Sequence, residues 1–241
     1  MKLISFRLRG HFAHFLRAEA SASALSYPFP PRTVILGILG AVLGLPKDEP
    51  QVVLEPANIA VSGKIPKTHW HRAKLRKDPP APLPHIIKRA QKMDKPTVPE
   101  KATLILQEWL LEPDYTIWVS IPEPYNAKLE ERLVHRRWHF QPSLGLSEMM
   151  ADIEYLGLND CSLLPEGIYD IQSVFPQDTG ALDMEQIFER ELVINSLQMP
   201  RSVTSDRIFS HCTYFAERDA RVIPVNTEQA YKSDNKVLMF L

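Results

Sequence analysis

Residues 27–45 read YPFPPRTVILGILGAVLGL, and the fold is decided by how this stretch is read. From 34 to 45 there is no polar side chain, yet three of those twelve residues, Gly37, Gly40 and Gly44, are glycines out of nine in the whole chain. A glycine inside a helix costs about 1 kcal/mol relative to alanine. The apolar run, opened by Pro30-Pro31 where proline suits a first turn, predicts a helix over 33–44. Spacings of three and four place the glycines and Ala41 on one helical face. Such a stripe lets another backbone come close, and a sheet beneath is the expected neighbour along most of its length.

The flanking segments give the rest of the order. KLISFRLR (2–9) alternates, with Ile4, Phe6 and Leu8 on one face and Leu3, Ser5, Arg7 and Arg9 on the other, a half-buried strand with cations on its open side. QVVLEPANIAVSGKI (51–65) predicts a second strand, broken by Pro56. Residues 64–100 are rich in proline and carry ten Lys/Arg, which predicts a long irregular basic excursion from a compact fold. Strands are predicted again at TLILQEWLL and YTIWVSI, an amphipathic helix over 126–138, a turn at Gly145 and a strand near 149–156. Short runs after about residue 160 (IYDIQSVF, QIFERELVI, RIFSHCTYFA, ARVIPV, KVLMFL) read as a smaller β-rich part. The expected architecture is therefore α+β: a ferredoxin-like (RRM-like) βαββαβ domain over 1–160, a basic thumb inserted at about 64–100, and a small β-rich C-terminal subdomain over 161–241.

At 241 residues and 44% hydrophobic, the chain can bury a full core. Its two cysteines form no CxxC pair, and a reducing cytoplasm is expected. The twelve-residue apolar run is too short to span a bilayer, which takes roughly 20 residues, and the alternating N-terminus is not a signal peptide; no membrane association is expected. The net charge of -1 hides an asymmetry: 16 Lys/Arg against 6 Asp/Glu over 1–95, and 12 against 23 over 96–241. A basic first half points to a polyanionic partner, the alternative being two oppositely charged surfaces that attract neighbours or each other. The sequence lacks GxxxxGK[ST] and GxSxG, which removes the usual NTPase and hydrolase readings. His69-x-His71 has no acidic or Cys partner at ligand spacing, so neither a metal nor any other cofactor is expected.

YPFPPRTVILGILGAVLGL and, about 110 residues on, QPSLGLSEMMADIEYLG together resemble the CRISPR-associated protein 5 family, RNA-binding subunits of type I Cascade complexes in the repeat-associated mysterious protein superfamily. The matching residues are Tyr27, Pro28, Phe29, Pro30, Pro31 and the three glycines, then Pro142, Leu144, Gly145, Glu148 and Asp152 to Tyr155. The likeness covers about 1–160. It implies a ribonucleoprotein subunit of antiviral defence that grips the 5′ handle of crRNA, caps the filament of backbone subunits and contacts the large subunit. Target DNA near the protospacer-adjacent motif would be met through the complex.

Within that reading, single-stranded RNA requires cations for phosphate and flat faces for unstacked bases. THWHRAKLRK interleaves both: Lys64, Lys67, His69, Trp70, His71, Arg72, Lys74, Arg76 and Lys77 are the expected contacts on the arm. Tyr27 and Phe29 are expected as stacking faces, with Arg32 and Thr33 at a helix start where amides favour phosphate. Arg7, Arg9, His11 and Arg17 border the first strand's end, with His14 as a further candidate; core-packed Phe12 and Phe15 with surface histidines is the alternative there. No spacing fixes a general base against an acid, so no catalytic residue is assigned. Two rivals stay open: a metal-independent endoribonuclease that processes CRISPR repeat RNA, and a scaffold that touches only protein.

Overall fold

A computed structural model of the chain describes residues 1–17, 23–76 and 102–241, the side chains of 75, 76, 102 and 103 apart. In chain order the elements are β1 (Lys2–Arg9), β2 (Phe12–Ala13), α1 (Arg32–Leu43), α2 (Pro50–Val53), β3 (Asn58–Gly63), β4 (Lys67–Arg76), β5 (Ala102–Leu111), β6 (Asp114–Ser120) and α3 (Tyr125–Val134). There follow β7 (Asp152–Leu163), β8 (Gly167–Ile171), β9 (Phe175–Pro176), β10 (Ala181–Leu182), α4 (Met184–Glu189), β11 (Ile194–Val203), β12 (Phe209–Glu217), β13 (Ile223–Thr227), β14 (Tyr231–Ser233) and β15 (Lys236–Leu238). The fold is mixed α+β, with a curled sheet and few helices. No helix among the described residues is long and apolar enough to cross a membrane.

A nine-stranded sheet runs β10-β13-β8-β15-β14-β7-β1-β6-β3. Central β1 pairs antiparallel with β6 on one side and β7 on the other, and β3 closes the edge against β6. The alternation of β1 puts Ile4, Phe6 and Leu8 into the main core, where they meet Ile35, Leu36, Leu39 and Leu43 of α1 and Leu129 and Leu133 of α3. The face expected to be open is open only in part. Leu3 is buried with Ala60, Trp118, Cys161 and Leu238, because the C-terminal strands fold over that end. The expected boundary at 160 falls inside β7, whose residues 161–163 pair with β14.

Three segments depart from expectation. The strand expected over 51–65 opens instead with the short α2, because Pro50 begins a helical turn well, and becomes strand only at Asn58. The basic excursion is not irregular where described: Lys67–Arg76 is a ten-residue strand paired with β5. Its alternating His, Trp, Arg and Lys residues outweigh the proline signal, which lies further along. QIFERELVI is no strand either, since the Asp183 carboxylate accepts the Gln186 N–H at 3.1 Å and caps a helix there.

The glycine stripe also faces elsewhere. α1 does lie on the sheet, but through Ile35, Leu36, Leu39 and Val42. Gly40 instead lets the helix touch Pro50: an added Cβ would sit 2.2 Å from its Cγ. Gly44 ends the helix at φ +80°, its N–H returning to the Gly40 carbonyl at 2.8 Å. Gly37 is exposed and has nothing within 4 Å of an added Cβ. The turn at Gly145 is present, at φ +102°.

Candidate nucleic-acid interface

Period-2 alternation gives the β4–β5 ribbon two distinct faces. On one, Trp70 stands across from Glu108, Arg72 from Leu106 and Lys74 from Leu104. Trp70 is 48% exposed and Leu104 66%, and Arg72 and Lys74 are exposed too. Neither cation makes an ion pair among the described residues. On the other face His69 opposes Trp109 and His71 opposes Gln107. The His71 ring stacks on Trp109 at 4.0 Å and 24°, Phe12 packs on Trp109 at 5.3 Å, and Trp109 Nε1 donates to Gln107 Oε1 at 3.1 Å. The first face therefore offers exposed cations beside an open indole. That is the pairing single-stranded nucleic acid binds, phosphate by charge and base by stacking.

The ribbon face that carries Ile105 and Gln107 borders a groove along α1. One stretch, about 610 Å³, runs over Gly37, Gly40 and Ala41 between Phe140 and the β11–β12 hairpin residues Val203 and Phe209. The Arg207–Asp48 ion pair, 2.7 Å, ties the hairpin tip to the α1–α2 loop at its margin. A second stretch, about 520 Å³, shares Thr33, Val34 and Phe209 with the first and reaches Ile105 and Gln107 of β5, with His14 and His211 in its walls. His14 is buried; its Nδ1 lies 2.8 Å from the Glu108 carbonyl, so Nδ1 carries the proton.

The structure separates the expected contacts into three groups. Lys64, Lys67, His69, Trp70, Arg72 and Lys74 are exposed along the ribbon and its base, with His71 half-buried against Trp109. Arg76 closes β4, and Lys77 lies outside the described residues, as does the remainder of the expected thumb to residue 100. Thr33 borders the groove, and His11 is exposed beside β2.

The second group is buried rather than presented. Tyr27 is 2% exposed and Phe29 fully buried, because the proline-rich stretch closes over the core: the Phe29 ring packs 5.6 Å from Tyr115, whose hydroxyl donates to the Pro28 carbonyl at 2.7 Å. Neither ring is an open stacking face. Arg32 is 3% exposed and donates to the carbonyls of Glu55 and Ala57, so it fastens α1 to the loop before β3 instead of meeting phosphate. Burial, with Arg201 nearby, lowers its pKa from the ordinary arginine value.

The third group is half-buried and already engaged within the chain. Arg7 grips Asp114 with two hydrogen bonds, which raise the arginine's pKa and hold the carboxyl below its ordinary range. Arg9 and Arg136 share Asp152, at 2.8 and 2.7 Å, and those bonds lower its pKa likewise. Arg17 donates to the Ser26 carbonyl at 3.2 Å and covers the Tyr27 ring. The open end of the sheet is thus a ladder of ion pairs. Residues that sequence reasoning left aside line the groove and ribbon: Leu104, Ile105, Leu106, Gln107, Trp109, Phe209 and His211. The available signal is the period-2 geometry of a strand through TLILQEWLL, which sets Leu104 and Leu106 on the face opposite Gln107 and Trp109. Among the described residues no three His, Cys, Asp or Glu side chains are placed to hold a metal ion.

The family model described as CRISPR-associated protein (Cas_Cas5) matches residues 3–221 of the chain. Two solved structures resemble it across nearly their whole lengths. One, titled a CRISPR RNA-guided surveillance complex, is 15% identical with a TM-score of 0.53, covering 93% of this chain and 90% of that one. The other, a CRISPR protein from Archaeoglobus fulgidus, is 13% identical with a TM-score of 0.53, covering 100% and 99%. At such identity they speak to the fold alone. No curated protein matches.

Proposed function

The chain belongs to the CRISPR-associated protein (Cas_Cas5) family, and from that premise we propose that it is a non-catalytic subunit of a CRISPR effector that holds the 5′ handle of crRNA. The observation that carries this reading is the ribbon face on which Arg72 and Lys74, without an ion pair among the described residues, stand beside the open ring of Trp70. The basic first half of the sequence supplies the attraction, falling with salt as counterions are released. Guide pairing, not this chain, reads the target sequence. Exposed carboxylates of the second half, such as Glu131 and Glu148, would face neighbouring subunits, the backbone and large subunits among them.

We also read the main sheet as ferredoxin-like. Support comes from the order β7-β1-β6-β3, with α1 connecting β1 towards β3 and α3 connecting β6 to β7. The test of function is to co-express the chain with a repeat-spacer RNA and its candidate partner subunits and to map protected nucleotides. Protection of the RNA 5′ end that is lost when this chain is omitted is the expected result. A fully assembled complex whose 5′ end stays exposed would overturn the reading, and discrete cleavage of repeat RNA by the purified chain in EDTA would favour a ribonuclease instead.

A further inference from the structure

The second stretch of the groove has the size and lining of a small-ligand site: about 520 Å³, mostly apolar walls, and a few polar groups. Its apolar side is built by Phe15, Val34, Ile105, Leu146 and Phe209. Its polar groups have definite roles. The His14 Nδ1–H is given to the Glu108 carbonyl, and in that tautomer Nε2 is an acceptor. Gln107 accepts from Trp109 through Oε1, which leaves its amide N–H₂ as donor. Both residues line the same hollow. One acceptor and one donor in an apolar slot suit the edge of a flat heterocycle that carries an amino group next to a ring nitrogen.

We propose that this hollow between α1, β5 and the β11–β12 hairpin takes one unstacked nucleobase of single-stranded RNA, adenine or cytosine rather than uracil. The amino group faces His14 Nε2, the ring nitrogen accepts from Gln107, and Phe209 supplies a flat wall. This rests on the RNA-binding reading above and adds a base preference to it. One wall is the middle of β5, where Ile105 and Gln107 stand on the ribbon face opposite Trp70, Arg72 and Lys74, so a strand held by those cations reaches the hollow by passing over the ribbon's edge. Uracil presents O4 and N3–H in the places where adenine and cytosine present an amino group and a ring nitrogen, so both hydrogen bonds would be mismatched.

The test is fluorescence-anisotropy titration of the full chain with 12-nucleotide oligoadenylate, oligocytidylate and oligouridylate at low salt. The wild type is expected to bind the first two about 10-fold more tightly than the third. Gln107→Leu should reduce that ratio, and Ile105→Trp, which fills the hollow, should abolish it while oligouridylate affinity stays within about 2-fold. Circular dichroism on both variants establishes that they fold, and each variant serves if the other does not. Equal binding of the three strands by the wild type, or a preference that survives both substitutions, overturns the pocket and leaves the RNA-binding reading standing. Failure to bind any strand overturns both.

Discussion

Alanine placed at each glycine of α1 should give three different results from one helix. At Gly37 an added Cβ meets nothing within 4 Å, so only helix propensity changes and the protein gains about 1 kcal/mol. For a chain of this size that raises Tm by about 2–4 °C. At Gly40 the same gain is opposed by a Cβ lying 2.2 Å from Pro50 Cγ and 2.9 Å from its Cβ. The Pro50 ring is buried at the start of α2 and has no rotamer to escape into. Overpacking of that kind costs about 1–3 kcal/mol, for a net loss between about 0 and 2. At Gly44 the φ of +80° alone costs about 1–2 kcal/mol, and His139 Cγ stands 2.5 Å from the new Cβ. Urea denaturation of the three variants measures the order directly, through midpoints at constant slope. Equal stabilisation by Gly37→Ala and Gly40→Ala would refute the packing of α1 on α2. So would a neutral Gly44→Ala for the left-handed cap. Gly37 then stands out as a residue that weakens the helix and packs against nothing while flooring the groove.

Other consequences are narrower. Glu217 is buried, which opposes its ionisation, but the N–H groups of Arg221, Asp219 and Val193 and the Arg221 side chain all donate to it and hold its pKa below the ordinary value. A depressed carboxyl stabilises the fold above the unfolded-state pKa and loses that contribution as pH falls through the folded one. Glu217→Gln should therefore cost about 3 kcal/mol near neutrality and flatten the acid side of a stability–pH curve; an unchanged acid limb would argue against it. The Arg207–Asp48 pair is half exposed, so Arg207→Ala should cost under about 1 kcal/mol overall. Hydrogen exchange at the hairpin tip should nonetheless quicken, and an unaltered rate would mean the ion pair does not hold the tip.

Much of the scaffold was legible because it follows from periodicity. Apolar spacing places β1, α1, β6 and α3, and its surroundings mark Gly145 as a turn. What the sequence hid had two physical sources. Alternation cannot tell which face of a strand a distant segment will cover, so Leu3 reads as part of an open face that the C-terminal strands bury. Residue type likewise does not reveal pairing. Arg7 and Arg9 read as phosphate ligands, yet Asp114 and Asp152, more than 100 positions away, neutralise them. Tyr27 and Phe29 read as stacking faces but are core residues, because aromatic rings beside prolines serve a core as readily as a base. The groove was the least visible feature. It is assembled from α1, β5 and a hairpin near residue 205, and no local pattern joins them.

The most direct test of the account is the salt dependence of RNA binding by the double variant Arg72→Glu, Lys74→Glu. If these two side chains meet phosphates, affinity for a single strand should drop at low salt, and the slope of log K against log salt should be shallower than wild type by about 1.4, at roughly 0.7 per lost single-strand contact. A variant that binds as tightly as wild type, with the same slope, would contradict the assignment of the β4–β5 ribbon as the surface that holds RNA.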